Sequence, residues 1–378
     1  MKRKILFLTG TRADFGKLKS LIEITRKSDE FEVHIFVTGM HLSVIHGYTV
    51  EEIEKCGYEN IFTFENHTSE CSMDKILAKT IEGFSNFIQA VKPDLIVIHG
   101  DRVEALAGAI SGSLNNTLVA HIEGGEISGT IDELIRHAIS KMSHIHFVAN
   151  GIARKRLIQM GELNENIFVI GSPDIDAMLS NNLPTIQEVK NRYKIEFNDY
   201  IIALFHPVTT EIEHMESYAK QFVDALLNIN ENTVVIYPNN DLGYKFILQQ
   251  YERLKNKESI KIFPSLRFEY FIILLKYSRF LIGNSSAGIR EAPHYGIPTI
   301  NIGTRQKNRS SNIEIINCSY ETQQILKSVE LAKTIKCNKI NLFGDGTSDK
   351  LFIDIIRNSN FWNINKQKQF NEVNLSDA

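Results

Sequence analysis

The sequence is poor in cysteine and shows no metal-binding pattern. Its four cysteines among 378 residues are scattered, without a CxxC pair or the Cys/His spacing of a zinc site. They are Cys56, Cys71, Cys318 and Cys337. This pattern argues against structural zinc and against a disulfide scaffold, and it predicts reduced thiols in a cytoplasmic protein.

The sequence also lacks an excess of either charge and lacks long apolar runs. Lys and Arg number 42 against 45 Asp and Glu, so no basic field exists for nucleic acid or an acidic membrane. An anionic ligand must therefore be held by a local site. No apolar stretch reaches the roughly 18 residues that span a bilayer. The basic start at residues 2–4 precedes an apolar run too short for a signal peptide.

The length and the order of the apolar runs predict two α/β domains. A chain of this length, 43% hydrophobic, exceeds the size at which one core usually stops growing. Short runs that are apolar on both faces alternate with helical segments, which predicts largely parallel sheets covered by helices. The runs span residues 5–8, 33–37, 95–98, 117–122, 144–148, 167–170, 200–205, 233–237, 260–263, 280–282 and 299–302. We expect two doubly wound domains, residues 1–175 and 176–378, with the boundary near residues 172–182 and a ligand cleft between them.

The C-terminal segment has its own pattern. Apolar residues at helical spacing in residues 350–362 predict a last helix that packs back across the domains, with Trp362 as a packing residue. The tail, residues 363–378, is polar, and we expect it to fray.

A glycine- and serine-rich turn at residues 283–288 follows a predicted strand and opens a predicted helix at residues 287–292. Such a turn directs backbone N–H groups at an anion, and Ser285 and Ser286 add hydroxyl donors, so a diphosphate fits. An ordinary serine N-cap is the alternative. Its glycine spacing matches neither GxGxxG nor a Walker loop, which argues against NAD and ATP. Glu291 can accept hydrogen bonds from a ribose; the alternative is that its negative charge only stabilises the N-terminus of the helix.

Two further residues, each directly after the first predicted strand of a domain, can reach a phosphate. Arg12 has the guanidinium donors that match phosphate oxygens, although a salt bridge to Asp14 is the alternative. His206 can donate to a departing phosphate oxygen, although a capped loop histidine is the alternative.

Carboxylates end two neighbouring predicted strands. Asp101 and Glu123 come directly after buried runs, so we expect them at the same sheet edge, and the glycines beside them let a ligand approach. Asp132 and Arg136 share one helical face. A solvated charged face is the alternative for this last pair.

Six strings together resemble the hydrolysing UDP-N-acetylglucosamine 2-epimerases. They are HGDR at residues 99–102, HIEGGEISGTIDE at 121–133, RHA at 136–138, HPVTT at 206–210, GNSSAGIRE at 283–291 and GTRQ at 303–306. The resemblance spans roughly residues 4–356. It implies a GT-B fold, in which two Rossmann-like domains face a cleft, and a bacterial enzyme that makes N-acetylmannosamine for sialic acid synthesis. We also expect a homodimer or homotetramer.

The resemblance assigns roles residue by residue. Asp101, Glu123 and Asp132 would be acid/base carboxylates, assisted by Arg136 and His206. The residues implied in binding UDP or the sugar are Arg12, Gly16, His41, Arg102, Glu133, Asn239, Phe268, Ser285, Ser286, Glu291 and Arg305, with uracil near Phe268 and His41 as a looser match.

The implied reaction needs neither a metal nor a redox cofactor. Departure of UDP from C1 acidifies the C2 proton, and two acid/base groups then remove and return a proton on opposite faces of the sugar. Three alternatives stay open: the same reaction on UDP-N,N'-diacetylbacillosamine, a GT-B glycosyltransferase, and a non-catalytic sugar-nucleotide sensor.

Overall fold

The computed structural model describes residues 2–66, 72–307 and 315–372. The chain divides into two compact units. The first comprises Met1–Glu126, Asp132–Ser180 and Leu342–Ala378, and the second comprises Ile127–Ile131 and Asn181–Asn341. Cys56, Cys318 and Cys337 are thiols, and Cys71 lies outside the described residues.

The first unit contains a seven-stranded parallel sheet in the order β3-β2-β1-β4-β5-β6-β7. Its strands are β1 (Arg3–Thr9), β2 (Phe31–Val37), β3 (Ile61–Thr63), β4 (Leu95–His99), β5 (Leu118–Ile122), β6 (Ile145–Val148) and β7 (Ile167–Val169). Its first seven helices are α1 (Arg12–Arg26), α2 (Val50–Glu54), α3 (Met73–Val91), α4 (Val103–Leu114), α5 (Ile131–Met142), α6 (Gly151–Gln159) and α7 (Pro173–Met178). Strands β4 and β5 are buried at every position, as their continuous apolar runs predict.

The second unit contains a six-stranded parallel sheet in the order β10-β9-β8-β11-β12-β13. Its strands are β8 (Ile201–Leu204), β9 (Thr233–Ile236), β10 (Ile260–Phe263), β11 (Leu281–Gly283), β12 (Thr299–Ile302) and β13 (Ile315–Cys318). Its helices are α8 (Ile186–Tyr193), α9 (Met215–Asn228), α10 (Tyr244–Tyr251), α11 (Phe268–Lys276), α12 (Glu291–Tyr295) and α13 (Thr322–Ala332). The prediction of two doubly wound parallel sheets is confirmed.

Each sheet has a point where the strand order reverses. This point lies between β1 and β4 in the first sheet and between β8 and β11 in the second. Ligands of open parallel sheets bind beyond the carboxyl ends of the strands at such a switch point. Asp101 and Arg12 follow the first pair of strands, and His206 and Ser285 follow the second pair.

The last helix, α14 (Ser348–Arg357), packs on the first unit. Phe352 and Phe361 join its main core, where the Phe352 ring lies 5.0 Å from that of Phe147. The sequence-based division placed residues 342–378 in the second domain, and the structure differs because these aromatic side chains pack on the first sheet. The predicted packing of Trp362 is seen as well, against Phe31 at 6.2 Å.

Two edge strands and the tail differ from the sequence-based description. The edge strands β3 and β13 were not among the predicted strands; they are three and four residues long and partly exposed. The tail does not fray throughout its described part, since Lys368 and its neighbours bond to the first unit. Residues 373–378 lie outside the described residues. Across the described ranges, every helix is too short or too polar to span a membrane.

Candidate active-site residues of the two units

A buried ionic network surrounds Glu123 at the end of β5. Its Oε1 lies 3.2 Å from His99 Nε2 and 3.5 Å from Lys17 Nζ, and it accepts a hydrogen bond from Ser172 Oγ at 3.1 Å. Lys17 also lies 3.6 Å from the carboxylate of Asp174. Buried charges of this kind are stable only when they are paired, so each charge in the network fixes the position of the others.

The backbone at Glu123 supports a functional assignment. Its φ is +69°, a left-handed conformation that non-glycine residues rarely adopt. Its N–H donates to Phe147 O at 3.2 Å, which ties the turn to β6. Strain of this type costs on the order of 1–3 kcal/mol and clusters at functional sites.

His99 is held in its charged form by its neighbours. Burial alone would lower the pKa of this imidazole, but Glu123 and Asp14 outweigh burial and raise the pKa to about 9. The Asp14 carboxylate lies 3.5 Å from His99 Nδ1. The His99 ring is therefore protonated and positively charged near neutral pH.

We expect this histidine to make stability fall with rising pH. A group whose folded pKa is raised stabilises the protein fully below its unfolded value, about 6.5, and this contribution is lost as the pH rises through about 9. The difference in free energy of unfolding between wild type and His99→Gln should shrink between those pH values, by at most about 1.4 kcal/mol per pH unit. Chemical denaturation across pH 6–10 measures it. A difference that stays constant with pH would contradict the ionised state of His99.

Asp101 and Arg136 form the second charged group of the first unit. Arg136 Nη2 donates to Asp101 Oδ2, and Arg136 Nη1 donates to Glu126 O at 3.3 Å. Arg136 is only 1% exposed; burial opposes its charge, but Asp101 and the nearby acids, Asp132 among them, outweigh burial and raise its pKa above the ordinary value. Asp132, in the first turn of α5, stays partly exposed.

His121 shapes the turn before Asp101. Burial lowers the pKa of its ring to about 3, so the ring is neutral. Its Nε2 lies 2.8 Å from Gly100 O, and this nitrogen must donate because the carbonyl only accepts. The histidine therefore fixes the backbone that carries Asp101.

The predicted binding residues of the first unit have varied surroundings. Arg12 Nη2 donates to Glu52, so the alternative of a salt bridge from Arg12 to Asp14 is wrong: Asp14 faces His99 instead. His41 is fully buried between the hydroxyls of Thr9 and Thr49, at 3.0 and 2.7 Å. Burial lowers the pKa of His41 to about 4, which describes a neutral packing histidine.

The other predicted binding residues of the first unit are Gly16, Glu133 and Arg102. Gly16 is buried in α1, and Glu133 is partly exposed in the first turn of α5. Arg102 precedes α4 and lies 3.7 Å from the carboxylate of Glu104.

In the second unit, His206 is fixed by the loop after β11. Its N–H donates to Asn284 Oδ1 at 2.7 Å, and its carbonyl accepts from Asn284 Nδ2 at 2.8 Å. Its ring Nδ1 accepts from the Asn239 N–H at 3.0 Å. Because Nδ1 is an acceptor, the proton of the neutral ring is on Nε2, which gives this histidine an N–H donor.

The turn after β11 depends on glycine. Gly283 has φ +143°, and a Cβ there would lie 1.7 Å from Leu204 O. Ser285 and Ser286 follow and stay partly exposed, with Ser285 Oγ accepting from the Ala287 N–H at 3.3 Å. The N-cap alternative for Ser285 is therefore present in the structure, and it leaves the Ser286 hydroxyl for other contacts.

The predicted helix at residues 287–292 begins later than expected. A 3-10 turn spans Ser286–Gly288, and α12 begins only at Glu291. The reason is Pro293, whose missing N–H is tolerated in the first turn of a helix but not in the interior. Glu291 is buried at the start of α12.

Arg305 lies beside the same turn. Its Nη1 donates to Asn284 O at 3.4 Å, and its carbonyl accepts from the Gly129 N–H at 3.1 Å. Glu211 accepts from Tyr320 Oη at 2.8 Å and from Thr304 Oγ1, which steadies this loop. Phe268 is buried at the start of α11.

Sequence reasoning missed part of the Glu123 network. Lys17, Ser172 and Asp174 carried no motif, and residues near 172 were interpreted only as a domain edge. His99 was quoted inside a motif without a role. Buried strand ends gave the signal for the carboxylates, but these partners come from α1 and from the start of α7, so no local spacing could reveal them.

Comparison with known proteins adds independent information. A family model described as UDP-N-acetylglucosamine 2-epimerase matches residues 23–357. UDP-N-acetylglucosamine 2-epimerase of Neisseria meningitidis is 47% identical, over 99% of this chain and 100% of that protein. UDP-N,N'-diacetylbacillosamine 2-epimerase (hydrolyzing) of Legionella pneumophila is 34% identical over 93% and 95%, and polysialic acid biosynthesis protein P7 of Escherichia coli is 32% identical over 88% and 87%.

The fold also matches a solved structure. UDP-GlcNAc 2-epimerase of Methanocaldococcus jannaschii, in complex with UDP-GlcNAc and UDP, aligns with a TM-score of 0.81 at 23% identity, over 94% of this chain and 99% of that one. At this identity the likeness shows the fold, and the predicted GT-B fold is confirmed.

Proposed function

Because the chain belongs to the UDP-N-acetylglucosamine 2-epimerase family, we propose that it converts UDP-N-acetylglucosamine and water to UDP and N-acetylmannosamine. The observation that carries this proposal lies in the first unit. Asp101 and Glu123 follow adjacent strands, β4 and β5, that pair in register up to His99 and Ile122, and each carboxylate contacts a buried cation. Acid/base groups fixed in this way suit proton transfer at a sugar carbon.

The reaction must begin at C1. The C2 proton is not next to a carbonyl, so no side chain can remove it from the ground state. When the C1–O bond to the diphosphate breaks, its electron pair leaves with UDP and positive charge grows at C1. A carboxylate then takes the C2 proton, and the remaining electron pair forms the C1–C2 double bond of 2-acetamidoglucal.

Water completes the reaction. Its hydroxyl adds to C1, and a second acid gives a proton to C2 from the opposite face, which gives the manno configuration. The carboxylate left by that acid takes the remaining proton of the water, and the first carboxylate releases the proton it took from C2 to the solvent. We assign the two proton transfers to the set Asp101, Glu123 and Asp132. Arg136, which contacts Asp101, orients that carboxylate.

Residues of the second unit are assigned to UDP. The Nε2–H of His206 and the hydroxyl of Ser286 are donors suited to a diphosphate that gains charge as it leaves, so they stabilise the transition state more than the substrate. Arg305 adds a positive charge beside the Ser285 turn. In the first unit, Arg12 is a further cationic donor for the phosphates.

Hydrolysis, rather than release of an epimerised nucleotide sugar, is supported by the Legionella relative, whose name includes the word hydrolyzing. The Escherichia coli relative named for polysialic acid biosynthesis supports a place for the product in sialic acid synthesis. A cytoplasmic homodimer or homotetramer belongs to the same proposal.

The test is the identity of the products. Incubation with UDP-N-acetylglucosamine should yield equal amounts of UDP and free N-acetylmannosamine, quantified by proton NMR and anion-exchange chromatography. Intact UDP-N-acetylmannosamine would place the chain in the non-hydrolysing class, and no turnover would contradict the proposal.

The same Legionella relative, whose name gives UDP-N,N'-diacetylbacillosamine as its substrate, makes this nucleotide sugar a second candidate substrate. We expect kcat/KM to favour UDP-N-acetylglucosamine by about 10–100-fold, since a few changed contacts contribute only about 1–3 kcal/mol. The reverse preference would reassign the substrate while leaving the reaction type intact.

A further inference from the structure

Helix α5 carries two of the proposed active-site residues at its beginning and needs partners at its end. Asp132 lies in its first turn and Arg136 one turn later. The last four carbonyls of a helix have no N–H donor in the regular i to i+4 pattern of the helix, so they accept hydrogen bonds from other groups. In α5 these include Ser140 O, which accepts locally only from the Ser143 N–H at 3.2 Å, and Ser143 O follows directly after the helix end.

The C-terminal strap, defined as residues 366–371, supplies these partners. Lys368 Nζ donates to Ser140 O at 2.8 Å and to Ser143 O at 2.6 Å, and it lies 2.5 Å from the Glu162 carboxylate. An ammonium group has three protons, and three acceptors surround this one. A positive charge at a helix C-terminus is also favoured by the helix dipole.

Glu162 connects the strap to both α5 and β6. It is buried, and it accepts from Lys141 of α5 at 2.8 Å and contacts His146 Nε2 of β6 at 2.9 Å. Burial would raise the pKa of Glu162, but His146 and the lysines outweigh it and lower the pKa to about 2. The carboxylate is therefore charged at all relevant pH values and keeps this junction intact.

Two more contacts hold the strap against the sheet. His144 Nε2 lies 3.1 Å from Lys366 O while its Nδ1 accepts from the Val119 N–H of β5 at 3.1 Å. The Asn371 N–H donates to Gly161 O at 3.0 Å. Beside the strap lies a cavity of about 520 Å³, lined in part by Gln367 and Lys368.

We propose that the C-terminal strap holds α5 against β5 and β6, and that Lys368 is thereby a positioning residue for Asp132 and Arg136. The kinetic part of this inference rests on the proposed function. A small displacement of a catalytic group lowers the rate strongly, with a 1 Å error costing on the order of 100-fold. Loss of the strap should therefore lower kcat more than it lowers binding.

The test compares Lys368→Met with Lys366→Met in the full-length chain. The Lys366 side chain is exposed and the strap uses only its backbone carbonyl, so this variant is a matched control. We expect Lys368→Met to lower kcat by about 10-fold or more, with the Kd for UDP within twofold of wild type and faster hydrogen exchange in α5. Lys368→Arg should recover most of the turnover, because it keeps a donor at the helix end.

The outcomes separate this inference from the proposed function. Wild-type kcat in Lys368→Met overturns the positioning role. If that variant loses UDP binding and fails to fold, Phe370→Ala decides instead. Phe370 is 70% exposed yet lies over Gly161, so its removal should lower kcat modestly without unfolding the protein. Unchanged turnover of Phe370→Ala then overturns the inference. If the wild-type protein shows no turnover, the proposed function fails, and unchanged exchange in α5 of Lys368→Met then overturns the strap.

Discussion

Replacing Asp132 with asparagine is expected to lower kcat by about 10²–10⁴-fold, the usual contribution of one acid/base group. Asparagine keeps the size of the side chain and its place in the first turn of α5, but it cannot take or give a proton. Because Asp132 stays partly exposed at the start of the helix, the substitution removes chemistry rather than a core contact. Single-turnover and steady-state kinetics with UDP-N-acetylglucosamine measure the effect.

UDP binding should survive this substitution. The proposed phosphate contacts of His206, Ser286 and Arg305 belong to the second unit, so the Kd for UDP by calorimetry should stay within about twofold of wild type. Asp354→Asn is the matched control, because Asp354 is an exposed acid on α14 in the same unit. Wild-type turnover in Asp132→Asn would remove Asp132 from the mechanism.

Replacing Glu123 with glutamine is expected to reduce both turnover and stability. The variant leaves His99 and Lys17 buried beside a neutral amide, and breaking a buried pair typically costs about 3–5 kcal/mol when no other partner remains. Asp14 and Asp174 still face these cations, so we expect a loss below that range. The rate should fall by at least about 10²-fold, as for other acid/base groups.

Two comparisons make the Glu123 result specific. Ser172→Ala removes the hydroxyl donor to Glu123 but leaves its ion pairs in place, and it should cost about 1.5–3 kcal/mol of stability, the usual range for a hydrogen bond to a charged group. Glu123→Gln and His99→Gln should be non-additive in a double-mutant cycle, because Glu123 raises the His99 pKa. Additive losses of unfolding free energy would show that the two side chains act independently.

The fold was largely predictable because its signal is repeated along the chain. Buried strands such as β4 and β5 are apolar at every position except His99 and His121, and the alternation with helices defines a doubly wound sheet without any knowledge of function. The edge strand β3 was missed because a partly exposed strand of three residues is too short to show an alternating apolar pattern. The late start of α12 follows from Pro293, a local rule that the motif interpretation overlooked.

The candidate site was predictable only where its residues lie next to a strand end. Asp101, Glu123 and His206 satisfy that condition. Asp101 and His206 follow strands that flank the switch points of their sheets, and Glu123 follows the next strand, β5. Lys17 and Asp174 reach Glu123 from separate helices, and Lys368 reaches α5 across more than 200 residues of sequence. Long-range ion pairs of this kind leave no pattern in a single sequence.

The proposed reaction depends on proton exchange at C2, so turnover of UDP-N-acetylglucosamine in D₂O is the most direct test. We expect NMR and mass spectrometry of the released sugar to show N-acetylmannosamine with one deuteron at C2, together with UDP. The deuteron must come from solvent, because the carboxylate that returns it acts on the face opposite to the original proton. N-acetylmannosamine with protium retained at C2, or release of unepimerised N-acetylglucosamine, would contradict the elimination and readdition mechanism.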